Sequence, residues 1–252
     1  MSAISKPARR LLAVLAAAVL TIAGVVLATH HASASAAIPP NPKFRSSAPF
    51  GIWDNGKFDV YNNEWNTAEA GPQTIWANSY HSWGVVSRQA STTSVKTYPS
   101  VQENYNNHPK VSSLRLLRSR FRETMPKASR NFDAEAAYDL WFNDGDIEVM
   151  LWVDNHGQAP AGGRIATAKI AGQSFGVFSP NHNAYSFVKL GKQERHGTAH
   201  LYLALRWLLR HGDISRSAFL TQVNFGWEIC STHGVPMSFR VGGYSLQTAY
   251  RR

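Results

Sequence analysis

The alternation of apolar and polar positions predicts a chain built mainly from β-strands. Successive side chains of a strand point to opposite faces, so a half-buried strand alternates with a period of two. Between residues 51 and 100, apolar runs are separated by turn signals such as Asp54-Asn55-Gly56 and Ala70-Gly71-Pro72. Further strands are predicted at residues 136–142, 147–153, 164–170, 174–178, 185–190, 219–229 and 237–245. The polar stretch 101–135 gives no clear element.

One segment has helical spacing instead. Residues 200–211 place four leucines on one side of a helix, and His211-Gly212 is a typical C-terminal stop. Many strands with a single helix predict an all-β fold. The expected architecture is a two-sheet antiparallel β-jelly roll, a concanavalin-like sandwich, with one helix packed on the outside.

One predicted strand carries a lone carboxylate on an otherwise uncharged face. In residues 147–153, the odd-numbered positions are all aliphatic, whereas Glu148, Met150 and Trp152 share the other face. The aliphatic face is expected to pack between the sheets. An acid, a methionine and a tryptophan in a row are typical of a cleft floor, with a reactive group, an apolar wall and a stacking platform.

Two further strands repeat this arrangement. Glu228 shares its face with Asn224, Gly226 and Cys230, while the alternate positions from Val223 to Ile229 are apolar. Asp139 similarly shares a face with Ala137 and Trp141. Among the other tryptophans, Trp53, Trp83, Trp141, Trp207 and Trp227 are expected in the core, and Cys230 is expected as a small side chain of the cleft wall.

Paired carboxylates of this kind suit glycoside hydrolysis. One must be ionised to attack or stabilise the anomeric carbon, and the other must be protonated to help the leaving oxygen depart. On neighbouring strands the two would perturb each other's pKa values. The alternative is that Glu148 and Glu228 are ordinary outward-facing residues, but two strands with matching faces argue against it.

The N-terminus predicts an export signal. Lys6, Arg9 and Arg10 precede an apolar stretch, and small residues ending at Ala36 offer cleavage sites, so residues 1–36 are interpreted as a secretory signal peptide. An uncleaved membrane anchor is the weaker alternative. Residues 37–50 form a short leader, and residues 51–252 a single domain. The protein is expected to be secreted and extracellular, without stable membrane association after cleavage.

Composition narrows the function further. The net charge is +10, and three of those charges lie in the predicted signal, so the mature chain has a net charge of +7. Its basic residues are scattered along the sequence, and no nucleic-acid recognition motif accompanies them. The single cysteine, Cys230, cannot form an intramolecular disulfide. No histidine spacing indicates a metal site. We therefore expect a monomer that needs no metal or other cofactor and binds no nucleic acid.

At these residues the chain resembles glycoside hydrolase family 12, a family of small secreted endoglucanases and xyloglucanases. The resemblance covers nearly all of the chain that follows the predicted signal peptide. It rests on the order of several motifs, which are Tyr61-Asn62-Asn63-Glu64-Trp65, Trp76-Ala77-Asn78-Ser79, Lys96-Thr97-Tyr98-Pro99, Ala137-Tyr138-Asp139-Leu140-Trp141, Glu148-Val149-Met150-Leu151-Trp152 and Phe225-Gly226-Trp227-Glu228-Ile229.

The resemblance implies an endo-acting retaining enzyme on β-1,4-glucan, with residues 51–252 as its catalytic domain. Glu148 would be the nucleophile, Glu228 the acid/base, and Asp139 the acid that orients the nucleophile. The residues implied to contact sugar are Asn63, Trp65, Met150 and Trp152.

Two questions stay open at this point. Glu64, Asn66 and His182 depart from the family pattern, so the preferred substrate could be cellulose, mixed-linkage glucan or xyloglucan. The rival hypothesis is a secreted carbohydrate-binding jelly roll without catalysis, because a fold does not fix a function. The presence of all three acids favours the enzyme.

Overall fold

The computed structural model describes residues 38–128 and 130–251. The predicted signal peptide, residues 1–36, lies outside the described residues. Within them the chain forms two β-sheets and one α-helix, so the predicted all-β sandwich is confirmed. The strands are β1 (Phe44–Ser46), β2 (Ile52–Asn55), β3 (Phe58–Tyr61), β4 (Gln73–Ser79), β5 (Ser82–Ser87), β6 (Ser100–Asn104), β7 (Leu114–Thr124), β8 (Asp133–Phe142), β9 (Ile147–His156), β10 (Gly163–Ile170), β11 (Gln173–Ser179), β12 (Ala184–Lys189), β13 (His196–Ala199), β14 (Leu220–Ser231) and β15 (Met237–Tyr250).

The strands divide into a six-stranded and a nine-stranded sheet. The order in the smaller sheet is β1-β4-β5-β15-β7-β13, and the order in the larger sheet is β10-β11-β12-β9-β8-β14-β6-β3-β2. The strand pairs are antiparallel except for β9 and β12, which run parallel. The expected leader, residues 37–50, contributes β1, which pairs with β4 at the edge of the smaller sheet.

The core lies between the sheets and follows the two-residue period. On β9, Val149, Leu151 and Val153 are buried in the core. On β14 the corresponding residues run from Val223 to Ile229 at every second position, and all are fully buried. Burial of apolar surface is the main favourable contribution to folding, so this alternation fixes which face of each strand is turned outward.

The helix α1 (Leu201–His211) starts one residue later than predicted and ends where predicted. Its buried residues include Leu201, Leu205 and Leu208, which join the core, and it contacts β7 in one sheet and β10 in the other. Gly212 ends it in a left-handed conformation and donates its N–H to the carbonyl of Leu208.

The sequence interpretation missed one long strand. β7 lies in the unassigned stretch 101–135 and pairs with β13 on one side and β15 on the other. Its exposed positions include Arg118, Arg120 and Arg122, whereas Phe121 between them is buried in the core. The arginines that were interpreted as scattered basic charges therefore form the polar face of a half-buried strand.

Candidate active site

A cleft of about 840 Å³ lies on the face of the nine-stranded sheet that is turned away from the core. We call this the cleft face. All seven residues singled out from the sequence line the cleft, and they are Asn63, Trp65, Asp139, Glu148, Met150, Trp152 and Glu228. Such a concave site with convergent polar groups is the usual form of a ligand-binding pocket.

The β8–β9 hairpin positions Asp139 and Glu148. The two strands are joined by a short turn at Asn143–Gly145 and pair so that Trp141 lies opposite Glu148 and Asp139 opposite Met150. Because strand parity sends every second side chain outward, these four side chains share the cleft face. Asp139 and Glu148 are thus diagonal neighbours on adjacent antiparallel strands.

Glu228 reaches the same cleft from β14. The sequence interpretation assumed that the strands of Glu148 and Glu228 are neighbours. This was wrong, because the sheet order is β9-β8-β14 and β8 separates the two strands. The parity of β14 places Glu228 and Asn224 on the cleft face. Gly226 lies between them, and a Cβ at this position would approach the carbonyl oxygen of Pro99 to 2.0 Å, so only glycine permits this close packing.

Burial and mutual repulsion raise the pKa of Glu148. Removal from water is the larger cause and the charge of Glu228 the second, and together they raise the pKa of Glu148 to about 7. The pKa of Glu228 is also raised by burial, while a hydrogen bond with Glu135 acts in the opposite direction. The two groups therefore titrate as coupled acids.

Asp139 is the most protected of the three acids in the cleft. Burial, followed by the charges of Glu148 and Glu228, raises its pKa well above the ordinary value. Its Oδ2 accepts a hydrogen bond from the indole N–H of Trp141 at 2.7 Å. Its Oδ1 meets no donor in the described part of the chain. This oxygen is free to carry a proton.

Aromatic side chains form the walls of the cleft. Trp65 is 51% exposed, on the loop between β3 and β4, beside Asn63 in a left-handed conformation. Trp152 is buried in the floor with Met150 and Ala137. Its indole N–H has no acceptor among the described residues, and the group is buried, so a hydroxyl of a bound ligand could satisfy it.

Glu64 is turned away from the cleft, although it is flanked by two residues that line it. Its carboxyl is buried and accepts a hydrogen bond from the side-chain amide of Asn62 at 2.6 Å. Burial raises its pKa to about 7, with the Asn62 bond acting in the opposite direction. The departure from the family pattern at Glu64 therefore concerns the support of this loop rather than the cleft surface.

The sequence interpretation was wrong for Trp141 and Cys230. Trp141 lines the cleft and holds Asp139, although it was expected in the core. Its position two residues beyond Asp139 was the signal, since the two must share a face. Cys230 is fully buried and is not part of the cleft lining. Burial raises the pKa of its thiol to about 12, which leaves it unreactive.

Several other residues of the cleft were not singled out from the sequence, including Tyr98, Gln102, Gln158 and Asn224. Among the residues described, no group of three or more histidine, cysteine or acidic side chains is placed to hold a metal ion. Within the same ranges, none of the helices has the length and apolar character needed to span a membrane.

Comparison with known proteins places the chain in a family. A family model described as Glycosyl hydrolase family 12 matches residues 56–248. Endoglucanase S of Pectobacterium parmentieri is 28% identical over 213 residues, which cover 71% of this chain and 78% of that protein.

Solved structures share the fold. One is the xyloglucanase domain of NopAA from Sinorhizobium fredii in complex with cellobiose, with 24% identity and a TM-score of 0.74 over 83% of this chain and 100% of that one. Another is the catalytic domain of Humicola grisea Cel12A with a soaked thio cellotetraose, with 22% identity and a TM-score of 0.75 over 82% and 100%. With the match over residues 56–248, this chain belongs to glycosyl hydrolase family 12 and is a glycosidase.

Proposed function

We propose that the protein is an exported, endo-acting retaining glycosidase that cleaves β-1,4-linked glucan. The observation that carries the proposal is that Glu148, Asp139 and Glu228 converge in a single cleft from three strands that are adjacent in one sheet, β9, β8 and β14. A module that only binds carbohydrate has no need of three carboxyls in one cleft, because their mutual repulsion disfavours the ionised state.

The role of each acid is the one that the resemblance to the family implies. Glu148 attacks the anomeric carbon while Glu228 gives its proton to the glycosidic oxygen, which leaves with the reducing-end part of the chain. In the second step Glu228 takes a proton from water, and the resulting hydroxide displaces Glu148 from the sugar. Asp139 holds a proton and shares it with Glu148, which keeps the nucleophile ionised and oriented.

The walls support a polymeric sugar as the substrate. Trp65 offers an exposed aromatic face, and Met150 and Trp152 offer an apolar floor next to the acids. Pyranose rings have apolar faces that pack on such surfaces, and Asn63 adds a polar group for hydroxyls. Cellulose, mixed-linkage glucan and xyloglucan all carry the linkage that this site would cleave.

Reducing-sugar release from a panel of soluble β-glucans tests the proposal. The wild type is expected to release reducing ends from at least one β-1,4-linked glucan and to lower the viscosity of the solution early, as endo-cleavage does. Glu148→Gln is expected to abolish both effects. Binding of the polymers without release of reducing ends by the wild type would instead favour the binding protein.

Export is part of the same proposal. Residues 1–36 carry the charge and apolar pattern of a secretory signal, and the polymeric substrate lies outside cells. N-terminal sequencing of the protein recovered from culture medium would test it, with a mature N-terminus at about residue 37 as the expected result.

A further inference from the structure

A buried glutamate behind the cleft, Glu135, faces Glu228 across the β8–β14 pair. The two residues are direct partners in the register, and both lie on the cleft-face side of their strands. Directly opposed side chains on antiparallel strands have Cβ atoms only about 4.5–5.5 Å apart, so the two carboxyls are within contact of each other. Glu135 is not assigned to the reaction by the proposed double displacement.

Among the described residues, the Glu135 carboxyl has little besides Glu228 to satisfy it. It is 0% exposed, and neither of its carboxyl oxygens meets an N–H or O–H donor of another residue in the part of the chain that the structure describes. An interaction with its own backbone N–H lowers its pKa only slightly against the larger effect of burial. A buried carboxylate without a donor would be very costly. The facing carboxyl of Glu228 is the group with which it can form a hydrogen bond, and this requires that one of the two is protonated.

The surroundings decide which of the two keeps the proton. Glu228 lines the cleft and reaches solvent in part, whereas Glu135 lies behind it and is sealed off. Ionisation is therefore less costly at Glu228. Burial and the Glu228 charge raise the pKa of Glu135 well above the ordinary value, while their hydrogen bond lowers that of Glu228.

Other ionisable groups surround the pair on each packed element. The buried ammonium of Lys96 donates to the carbonyl of Cys230, and the hydroxyl of Tyr98 donates to the carbonyl of Ala137 at 3.0 Å. Neither side chain bonds to the Glu135 carboxyl. The groups that interact electrostatically with the pair or its neighbours are Lys96, Tyr98, Asp133, Asp139, Glu148 and Cys230.

From this geometry we propose that Glu135 is a positioning residue that keeps its proton through the reaction and donates it as a hydrogen bond to Glu228. The proposal rests on the role of Glu228 as acid/base. When Glu228 gives its proton to the leaving oxygen, its new carboxylate is held and stabilised by the Glu135 hydroxyl. Glu228 then accepts a proton from water, and the proton of Glu135 is neither released nor transferred.

Two substitutions separate the hydrogen bond from the charge. Glu135→Gln keeps an N–H donor of the same length and cannot ionise, whereas Glu135→Met keeps the volume without a donor. Glu103→Gln is the matched control, because Glu103 is a buried glutamate of β6 that is ion-paired with Lys57 outside the cleft. The readout is kcat/KM against pH on a soluble β-glucan, whose basic limb reports the pKa of the acid in the free enzyme.

The expected result is a split between the two variants. In Glu135→Met, the basic limb moves up by about one pH unit, since a carboxylate that loses its donor holds its proton more tightly. The value of kcat on glucan falls roughly three- to tenfold. In Glu135→Gln, the limb moves up by about half a unit or less, because the amide still donates a hydrogen bond but a weaker one than a carboxylic acid. In the control, the limb stays within a few tenths of a unit. A basic limb that moves to lower pH in Glu135→Gln would show that Glu135 is ionised and overturn the proposal. Basic limbs of Glu135→Met and Glu135→Gln that both coincide with that of the control would also overturn it.

A direct measurement on the wild type covers the case in which the Met variant does not fold. NMR titration of carboxyl carbons in glutamate-labelled protein, with Glu135→Gln to assign the signal, is expected to show Glu135 protonated while Glu228 titrates. Loss of its proton before Glu228 would refute the proposal. The pH profile of Glu228→Gln on an activated substrate distinguishes a failure of the Glu135 proposal from a failure of the proposed function. If the basic limb persists in this variant, Glu228 is not the acid/base, whatever the state of Glu135.

Discussion

Replacement of Asp139 by Asn tests whether a proton on Asp139 keeps Glu148 ionised. Asp139 is 5% exposed, and its Oδ2 is occupied by the indole N–H of Trp141 at 2.7 Å. Its Oδ1 has no N–H or O–H donor among the residues described. Oδ1 is therefore the oxygen that would carry the proton shared with Glu148.

The size of the effect follows from the register. The backbones of diagonal neighbours on antiparallel strands are roughly 7–8 Å apart, and their side chains can approach each other more closely. Even at roughly 7–8 Å, two full charges in an effective dielectric of about 20 would repel each other by about 2 kcal/mol, so this value is the lower limit of the repulsion. That corresponds to a factor of about 30 in proton occupancy. Simultaneous ionisation is thus disfavoured, and the proton stays on Asp139, which is the more deeply buried group.

Asn retains an N–H donor, but an amide donates more weakly than a carboxylic acid. The Glu148 carboxylate loses part of its stabilisation, so the acidic limb of kcat/KM is expected to move up by about half to one pH unit. Activity at the optimum should fall about tenfold and not vanish.

The assay is the pH profile on an activated aryl β-cellobioside. Asp154→Asn is the matched control, since Asp154 is also a buried aspartate of the same sheet but pairs with Arg195 and does not line the cleft. Its acidic limb should coincide with that of the wild type. Full activity of Asp139→Asn with an unchanged profile would refute the reasoning.

Three further predictions concern the acid, the wall and stability. Glu228→Gln should lower kcat on glucans by roughly 100- to 10,000-fold, while the first step on aryl glycosides with good leaving groups is spared, because only the glucans need the proton; equal loss on both substrates in burst kinetics would contradict this. Trp65→Ala should raise KM about three- to tenfold at nearly unchanged melting temperature, since Trp65 is half exposed and loses mainly its stacking on sugar; an unchanged KM would remove Trp65 from the binding surface. Burial raises the pKa of Glu123 from 4.5 to about 8, so the folded state holds this proton longer than the unfolded state, and stability is lost as pH rises from about 4.5 to 8. Glu123→Gln can still accept the indole N–H of Trp227 and should remove part of that loss in the free energy of unfolding, which is at most about 4–5 kcal/mol at about 1.4 kcal/mol per pH unit. Urea unfolding of the wild type and the variant at pH 5 and pH 8 measures the difference. An equal change of stability with pH in the two proteins would exclude this role of Glu123.

Strand parity made much of the site predictable from sequence. The face on which Glu148 or Glu228 lies depends only on its neighbours along the chain, and the apolar alternate positions fix which face is buried. The β8–β9 hairpin is equally local, so the approximate register of Asp139 could be worked out from its short turn. The confirmed fold class follows from the same strand and turn signals.

What the sequence could not provide depends on long-range pairing. The position of β8 between β9 and β14 is set by contacts between segments far apart in the chain, so the neighbours of Glu228 could not be known. Glu135 falls at the end of the polar stretch that gave no element, and its partner is 93 residues further along. β7 was missed because arginines at alternate positions were interpreted as charge rather than as the exposed face of a strand.

Covalent trapping of the glycosyl-enzyme tests the central claim most directly. An activated 2-deoxy-2-fluoro cello-oligosaccharide slows the second step more than the first, so the intermediate should accumulate and be located by peptide mass spectrometry. The account predicts one sugar adduct per chain on Glu148, its absence in Glu148→Gln, and β-configured products first seen by NMR with an ordinary substrate. An adduct on any other residue, or α-configured products without an adduct, would contradict it.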